Sequence, residues 1–242
     1  MFNIVLYTSS YGARSEVWIR RQVEGLTRYR PTVCCLNNIR EGGCSVSVVQ
    51  VRSERRLLHR LEQLRCLIEA RRWPDSQRMY AWRMAQTAKR IDAILIHAHF
   101  LWNAGFAVEA NAYVGLPLIV TAHGTDVNRA RADAAYRAHL NEIVFPSVDR
   151  IIAVSQFIAG RFSDLGCQEE KIEVQYLGAP LPQRTAQVNR QRSEIRVVCV
   201  ASFLHVKGHR YLIEAFAKAF ESESALRLSL VGDGPERVGI GR

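Results

Sequence analysis

Short apolar runs alternate with longer amphipathic stretches from the first residues onward. The pattern predicts strands at residues 3–7, 32–36, 46–51, 93–97, 118–122, 151–154 and 172–176. It predicts helices at 16–28, 54–72, 76–90, 102–114, 131–144 and 156–165. Runs such as Ala93-Ile94-Leu95-Ile96 and Leu118-Ile119-Val120 are continuous rather than alternating, which suits strands buried on both faces of a parallel sheet. Strand followed by helix, repeated, predicts a Rossmann-like α/β fold with a doubly wound parallel sheet. Gly115 and Pro117 separate one helix from the next strand, and Ser155 is placed to cap the helix behind it.

The pattern breaks near Pro180 and Pro182, and almost nothing apolar follows Leu181 until it restarts. Residues 1–180 read as a first domain and 181–194 as a linker. A strand at 195–201, a helix at 207–220 and a strand at 226–231 then begin a second Rossmann-like domain, followed by the turn Gly232-Asp233-Gly234-Pro235. Residues 195–242 are too few to bury a core of their own, so this second domain is expected to be incomplete, a truncated start.

Composition narrows the setting. The 242 residues are 48% hydrophobic and 23% charged, with no run long enough for a membrane span. The N-terminus lacks a basic region before its apolar run, so it reads as a first strand, and a cytoplasmic protein is expected. Six cysteines without C-x-x-C spacing fit buried structural thiols. The net charge is +10, and residues 51–90 hold eleven Lys and Arg against four Asp and Glu. Within that segment Leu57, Leu58, Leu61, Leu64 and Ile68 form a stripe at helical spacing, flanked by Arg55, Arg56, Arg60, Arg65, Arg71 and Arg72. Such a helix is either an ordinary domain helix with a basic outer face or a peripheral contact for an anionic membrane through residues 54–72. No nucleic-acid signature accompanies the charge.

Chemistry is expected beyond the carboxyl ends of the strands, where parallel α/β sheets bind ligands. The loop Thr8-Ser9-Ser10-Tyr11-Gly12-Ala13-Arg14-Ser15-Glu16 leads into a helix N-terminus, which can receive an anion, although it is not G-x-G-x-x-G. His97-Ala98-His99-Phe100 and Thr121-Ala122-His123-Gly124-Thr125-Asp126 follow strongly apolar strands. His and Asp there can orient sugar hydroxyls or move protons. A metal held by His97, His99 and His123 is the competing reading, but no Cys or second carboxylate joins them. Lys207, expected at a helix start beside Gly208, would suit a diphosphate.

Taken in order, these motifs resemble the retaining GT-B glycosyltransferases of family 4, in the exopolysaccharide (colanic-acid-type) branch. That branch has Ser-Glu-Thr-Phe-Ile after its first strand, where this chain has Ser15-Glu16-Val17-Trp18-Ile19 with Gln22 and Leu26 also fitting. The His97–Phe100 and His123–Asp126 motifs resemble its central signatures. Residues 148–155 with 171–174 resemble the end of its N-terminal domain. Residues 207–215 and 230–235 resemble the opening of its C-terminal domain.

The resemblance implies sugar transfer from a nucleotide-sugar donor to a glycan or lipid-linked acceptor, without a metal or other cofactor. It implies that the acceptor binds mainly in the N-terminal domain and the donor in the C-terminal one. It places His123 and Asp126 in catalysis. Gly12, Lys207 and Gly208 are implied at the donor phosphates. Ser15, Glu16, His99, Gly124, Thr125 and Ser155 are implied at the acceptor or sugar. Two departures stand out. Ala201-Ser202 replaces the family's common Gly-Arg, and no Glu-x7-Glu follows the Gly232–Pro235 turn. The chain is therefore expected to transfer sugar weakly or not at all, with a non-catalytic carbohydrate- or lipid-binding fragment as the alternative.

Overall fold

A computed structural model describes residues 1–13, 16–39, 46–52, 56–71, 74–179, 181, 194–222 and 225–240. Ser15, Cys44, Arg55, Arg72 and nearly all of the expected linker lie outside the described residues. The chain divides into two compact units, Met1–Pro180 and Leu181–Arg242.

The first unit is a seven-stranded parallel sheet with helical layers. Its elements run β1 (Phe2–Tyr11), α1 (Val17–Glu24), β2 (Tyr29–Asn38), β3 (Ser47–Gln50), α2 (Arg56–Ala70), α3 (Ser76–Arg90), β4 (Ile96–His99) and α4 (Leu101–Asn111). They continue with β5 (Leu118–Ala122), α5 (Thr125–Ala132), α6 (Ala134–His139), a π-helical turn (Leu140–Val144), α7 (Phe145–Ser147), β6 (Arg150–Ala153), α8 (Gln156–Asp164) and β7 (Ile172–Val174). The strand order is β3-β2-β1-β4-β5-β6-β7. The chain winds outward from β1 to one edge and returns to start β4 beside β1, so the loops after β1 and β4 diverge. That divergence is the crevice in which such sheets bind ligands.

Alternate positions along each strand face opposite layers. Val5, Tyr7, Cys34, Ile96, Ala98, Val120, Ala122 and Ile151 pack with α3, α4 and α8 in the main core. Ile4, Leu6, Val33 and Cys35 pack under α1 through Ile19 and Val23. Each fully buried aliphatic side chain contributes about 1.5–3 kcal/mol, so this two-sided burial explains why the strands read as continuous apolar runs.

Several boundaries differ from expectation for physical reasons. β1 runs past Tyr7 because Thr8, Ser10 and Tyr11 pair with Cys35, Asn37 and Asn38. β4 starts three residues late, in register with Val5. The helix expected over 131–144 begins earlier, at Thr125, and is broken at Asp133, whose carboxylate accepts from the Tyr136 N–H and caps a new helix. Ser155 caps α8, accepting from the Ile158 N–H at 3.2 Å.

The second unit contains β8 (Ile195–Val200), α9 (His209–Ser222), β9 (Leu226–Val231) and α10 (Arg237–Ile240), with β8 and β9 paired in parallel. The expected helix start at Lys207 is corrected. Residues His205–Lys207 form a 3-10 turn, Gly208 takes a left-handed φ of 69°, and the α-helix begins at His209. Cys34, Cys35, Cys66 and Cys167 are buried, and Cys199 is half-buried. Among the described residues no helix is long and apolar enough to cross a membrane.

Candidate functional site

The carboxyl ends of β1, β4 and β5 bring the sequence motifs together. Gly12 closes the first loop with φ +89°, and a Cβ there would stand 2.2 Å from the Ile39 carbonyl oxygen. Only glycine permits that approach, which the Ile39 N–H bond to the Tyr11 carbonyl (2.9 Å) holds in place. Gly12 thus has a structural task irrespective of any ligand. Glu16 precedes α1, with its carboxyl pushed up by burial.

His97 and His99 share the β4 face that carries Ile119 and Thr121 of the neighbouring strand. His97 Nε2 lies 2.7 Å from the Thr121 hydroxyl. His99 Nδ1 lies 3.4 Å from His123 Nε2. The rings form a row, with centroids 4.7 Å apart for His97 and His99 and 5.6 Å for His99 and His123. Rings set in a row do not converge on a point as metal ligands do, and among the described residues no three His, Cys, Asp or Glu side chains are grouped to hold an ion.

The row is held neutral. Burial, then the neighbouring imidazoles, pushes His99 well below its ordinary range. Burial takes His97 down to about 4, and burial with His97 takes His123 to about 3. His123 at neutral pH is therefore an uncharged hydrogen-bonding group and not an acid. The single N–H between His99 and His123 also ties their tautomers. If His99 donates, both rings carry their proton on Nδ1; if His123 donates, both carry it on Nε2. His99 Nε2 and His123 Nδ1 are buried without a partner.

Aromatic rings fix His123 in place. Trp18 lies over it at 4.0 Å between centroids, and Phe100 meets it edge-on at 4.7 Å. Phe100 itself stacks on Trp102 at 4.4 Å. Its backbone has φ 68°, a strained value for a bulky residue.

Asp126 does not do what the motif suggested. Its side chain is fully buried and accepts from four backbone N–H groups: Leu101 (3.1 Å), His123 (3.1 Å), Gly124 (2.8 Å) and Val127 (3.1 Å). Burial pushes its carboxyl up, and these four donors partly offset that. The carboxylate caps α4 from another loop and ties the end of β4 to the end of β5. Asp126 is a positioning residue here, because no face of it reaches the crevice. Gly124 is half-buried at φ +101° and Thr125 is exposed, so both remain open to a ligand. The Ser155 hydroxyl is engaged as a cap. In the second unit Lys207 is exposed, and Gly208 stands directly before α9.

The motifs did not single out the cavity beside the row. Trp18 and Thr121, with Arg21, Gln22, Ile152 and Gln175, line a space of about 540 Å³. Gln22 Oε1 is buried without a partner. A signal for Trp18 was available: it stands where the resembling family has an aromatic residue, two positions after Glu16.

Known glycosyltransferases are similar to this chain in sequence and in fold. An uncharacterized glycosyltransferase YqgM of Bacillus subtilis is 28% identical over 151 residues, covering 61% of this chain and 41% of the relative. The putative colanic acid biosynthesis glycosyltransferase WcaL of Escherichia coli is 27% identical over 114 residues, covering 47% of this chain and 28% of the relative. The chain thus spans less than half the length of these relatives. The fold matches that of Anabaena HepE in complex with UDP and glucose, with TM-score 0.67 and 18% identity, over 100% of this chain and 64% of that one. The sequence also matches the Glycosyltransferase Family 4 domain over residues 19–181, and this chain belongs to that family.

Proposed function

We propose that this chain serves in transfer of a sugar from a nucleotide-sugar donor to a glycan or lipid-linked acceptor, with retention at the transferred carbon. The observation that carries this is the row of neutral, desolvated histidines ending at His123, clamped by Trp18 and Phe100 at the crevice of a family 4 chain. A neutral imidazole held rigidly in a dry site suits hydrogen bonding to a sugar hydroxyl. It does not suit protonation of a leaving group at neutral pH. The acceptor fits the cavity beside Trp18, where an indole ring and the amides of Gln22 and Gln175 offer a sugar an apolar face and polar partners. Donor diphosphate falls to Lys207, Gly208 and the α9 N-terminus in the second unit, by the lysine charge and the helix dipole and without a metal. The names of WcaL and HepE's bound UDP and glucose agree with this chemistry.

Peripheral contact with an anionic membrane at the cytoplasmic face belongs to the same proposal. Leu61, Leu64 and Ile68 are 61%, 51% and 76% exposed on α2, beside exposed Arg60, Arg65 and Arg71. Sedimentation with anionic vesicles tests this part. L61S/L64S/I68S should abolish co-sedimentation, and unchanged binding would overturn the contact.

Sugar binding tests the rest. Saturation-transfer NMR with oligosaccharides should show acceptor protons against the Trp18 ring, with loss in W18A and no loss in R28A. Nucleotide-sugar consumption is followed in parallel. Binding without consumption would move the chain to the non-catalytic carbohydrate-binding alternative, and no Trp18-dependent binding would sink the acceptor site.

A further inference from the structure

Helix α2 divides its surface three ways. Cys66 turns inward onto Met79 and Trp82. Leu61, Leu64 and Ile68 turn outward. Between these faces, Glu62 and Glu69 reach across to α3. Glu62 takes the buried Arg83 guanidinium at 2.6 Å, and Arg83 also donates to the Val51 carbonyl at 2.8 Å. Glu69 accepts from the Trp82 indole at 3.1 Å and lies 3.6 Å from Lys89 Nζ. Together with the end of the edge strand β3, these side chains wall a cavity of about 1000 Å³.

Three more arginines line that cavity: Arg52 just after β3, Arg65 on α2 and Arg90 in the last turn of α3. Both carboxylates in its wall are already matched, by Arg83 and by Lys89. Among the described residues no acidic group pairs with Arg52, Arg65 or Arg90. Elsewhere on α3 the cations are compensated, since Arg78 bonds Glu109 at 3.0 Å. Like charges gathered around one concave space repel each other and raise the local potential for an anion. The guanidinium fork matches phosphate oxygens two at a time. Arg65 follows Leu61 by one helical turn and precedes Ile68 by three residues, so it stands on the border between the apolar stripe and the cavity.

We infer that the cavity between β3, α2 and α3 is a phosphate-binding site, separate from the sugar crevice, with Arg52, Arg65 and Arg90 as its ligands. Its ligand class is a phosphate monoester or diphosphate, carried either by an anionic lipid headgroup or by a soluble molecule. The site stands without the glycosyltransferase reading, because it shares no residue with the His123 crevice.

Inorganic pyrophosphate is the first probe, titrated calorimetrically into the 242-residue chain at low salt. R52A/R65A should weaken its binding by about tenfold or more, since each substitution removes a charge-assisted hydrogen bond. R28A, which removes an exposed charge elsewhere, should leave it within about twofold. Both substituted side chains in the test variant are exposed, and an unchanged melting curve checks its fold. Vesicles of phosphatidylcholine with phosphatidic acid form the second arm. If R52A/R65A also weakens vesicle binding and pyrophosphate competes for it, the site takes a lipid phosphate. If only pyrophosphate binding falls, the site takes a soluble phosphate. Pyrophosphate that fails to bind, or binds both forms equally, overturns the site. Because neither arm involves sugar, that failure is distinct from failure of the transfer proposal.

Discussion

Acid should loosen the first unit through its histidine row, and the effect has a definite sign. His97 is nine-tenths buried, and its proton affinity falls from an ordinary 6.5 to about 4 in the folded chain. For a base depressed by folding, stability is whole above the unfolded value and is lost as pH falls. Below about 6.5 the unfolded chain takes up a proton that the folded chain refuses. His97 alone, moving from 6.5 to about 4, accounts for roughly 3 kcal/mol of lost stability at the acid end of that window. That is a large share of a typical 5–15 kcal/mol total. The three rings sit in one row and titrate together, so the slope of stability against pH is the proper observable. H97Q places an amide N–H near the position of Nε2, within reach of the Thr121 hydroxyl, while removing one titrating ring. Between about pH 6 and 4 its stability curve should be shallower than the native one by up to about 1.4 kcal/mol per pH unit. Urea unfolding followed by tryptophan fluorescence measures this, since Trp18, Trp82 and Trp102 lie in the first unit. Parallel stability curves for the two proteins would refute the reasoning.

Three further outcomes are expected. D126A leaves four interior backbone N–H groups without their carboxylate and should cost about 3–5 kcal/mol in urea unfolding; a loss below about 1 kcal/mol would contradict its positioning role. G12A must move a backbone carbonyl that would stand 2.2 Å from the new Cβ, and it adopts a φ unfavourable to alanine. It should destabilise by about 2 kcal/mol or more and release the Ile39 amide to rapid hydrogen exchange. Burial pushes the Cys34 and Cys35 thiols up to about 12 and 11, so a thiol reagent at pH 8 should label half-buried Cys199 before either of them and reach these two only when urea is added.

The sheet was legible because strands buried on both faces leave continuous apolar runs, and Ile96, Val120 and Ile151 are such positions. Helix ends were less legible. The break at Asp133 depends on a side-chain cap that competes with an otherwise unbroken helical pattern, and the start of α5 at Thr125 follows a left-handed glycine. The three histidines were identified from strand ends alone, since β4 and β5 pair in register and must place His99 beside Thr121. Their roles were not legible. Periodicity gives the face of a strand but not whether a carboxylate such as Asp126 points outward to a substrate or inward to four amides. Nor could pattern show that Glu62 and Glu69 would be consumed by α3. Among the described residues that pairing leaves Arg52, Arg65 and Arg90 without an acidic partner and turns a diffuse sequence charge into a local one.

The backbone angle at Phe100 sets an unusual rule of tolerance for that position. Glycine would relax the φ of 68° but would remove the ring that stands between Trp102 and His123. Tyrosine or tryptophan would restore a ring at the same angular cost, of order 1–3 kcal/mol. Chemical similarity and conformational ease therefore rank the substitutes in opposite orders. A library of substitutions at this site, scored once for folding and once for sugar binding, should return two rankings that disagree most sharply at glycine.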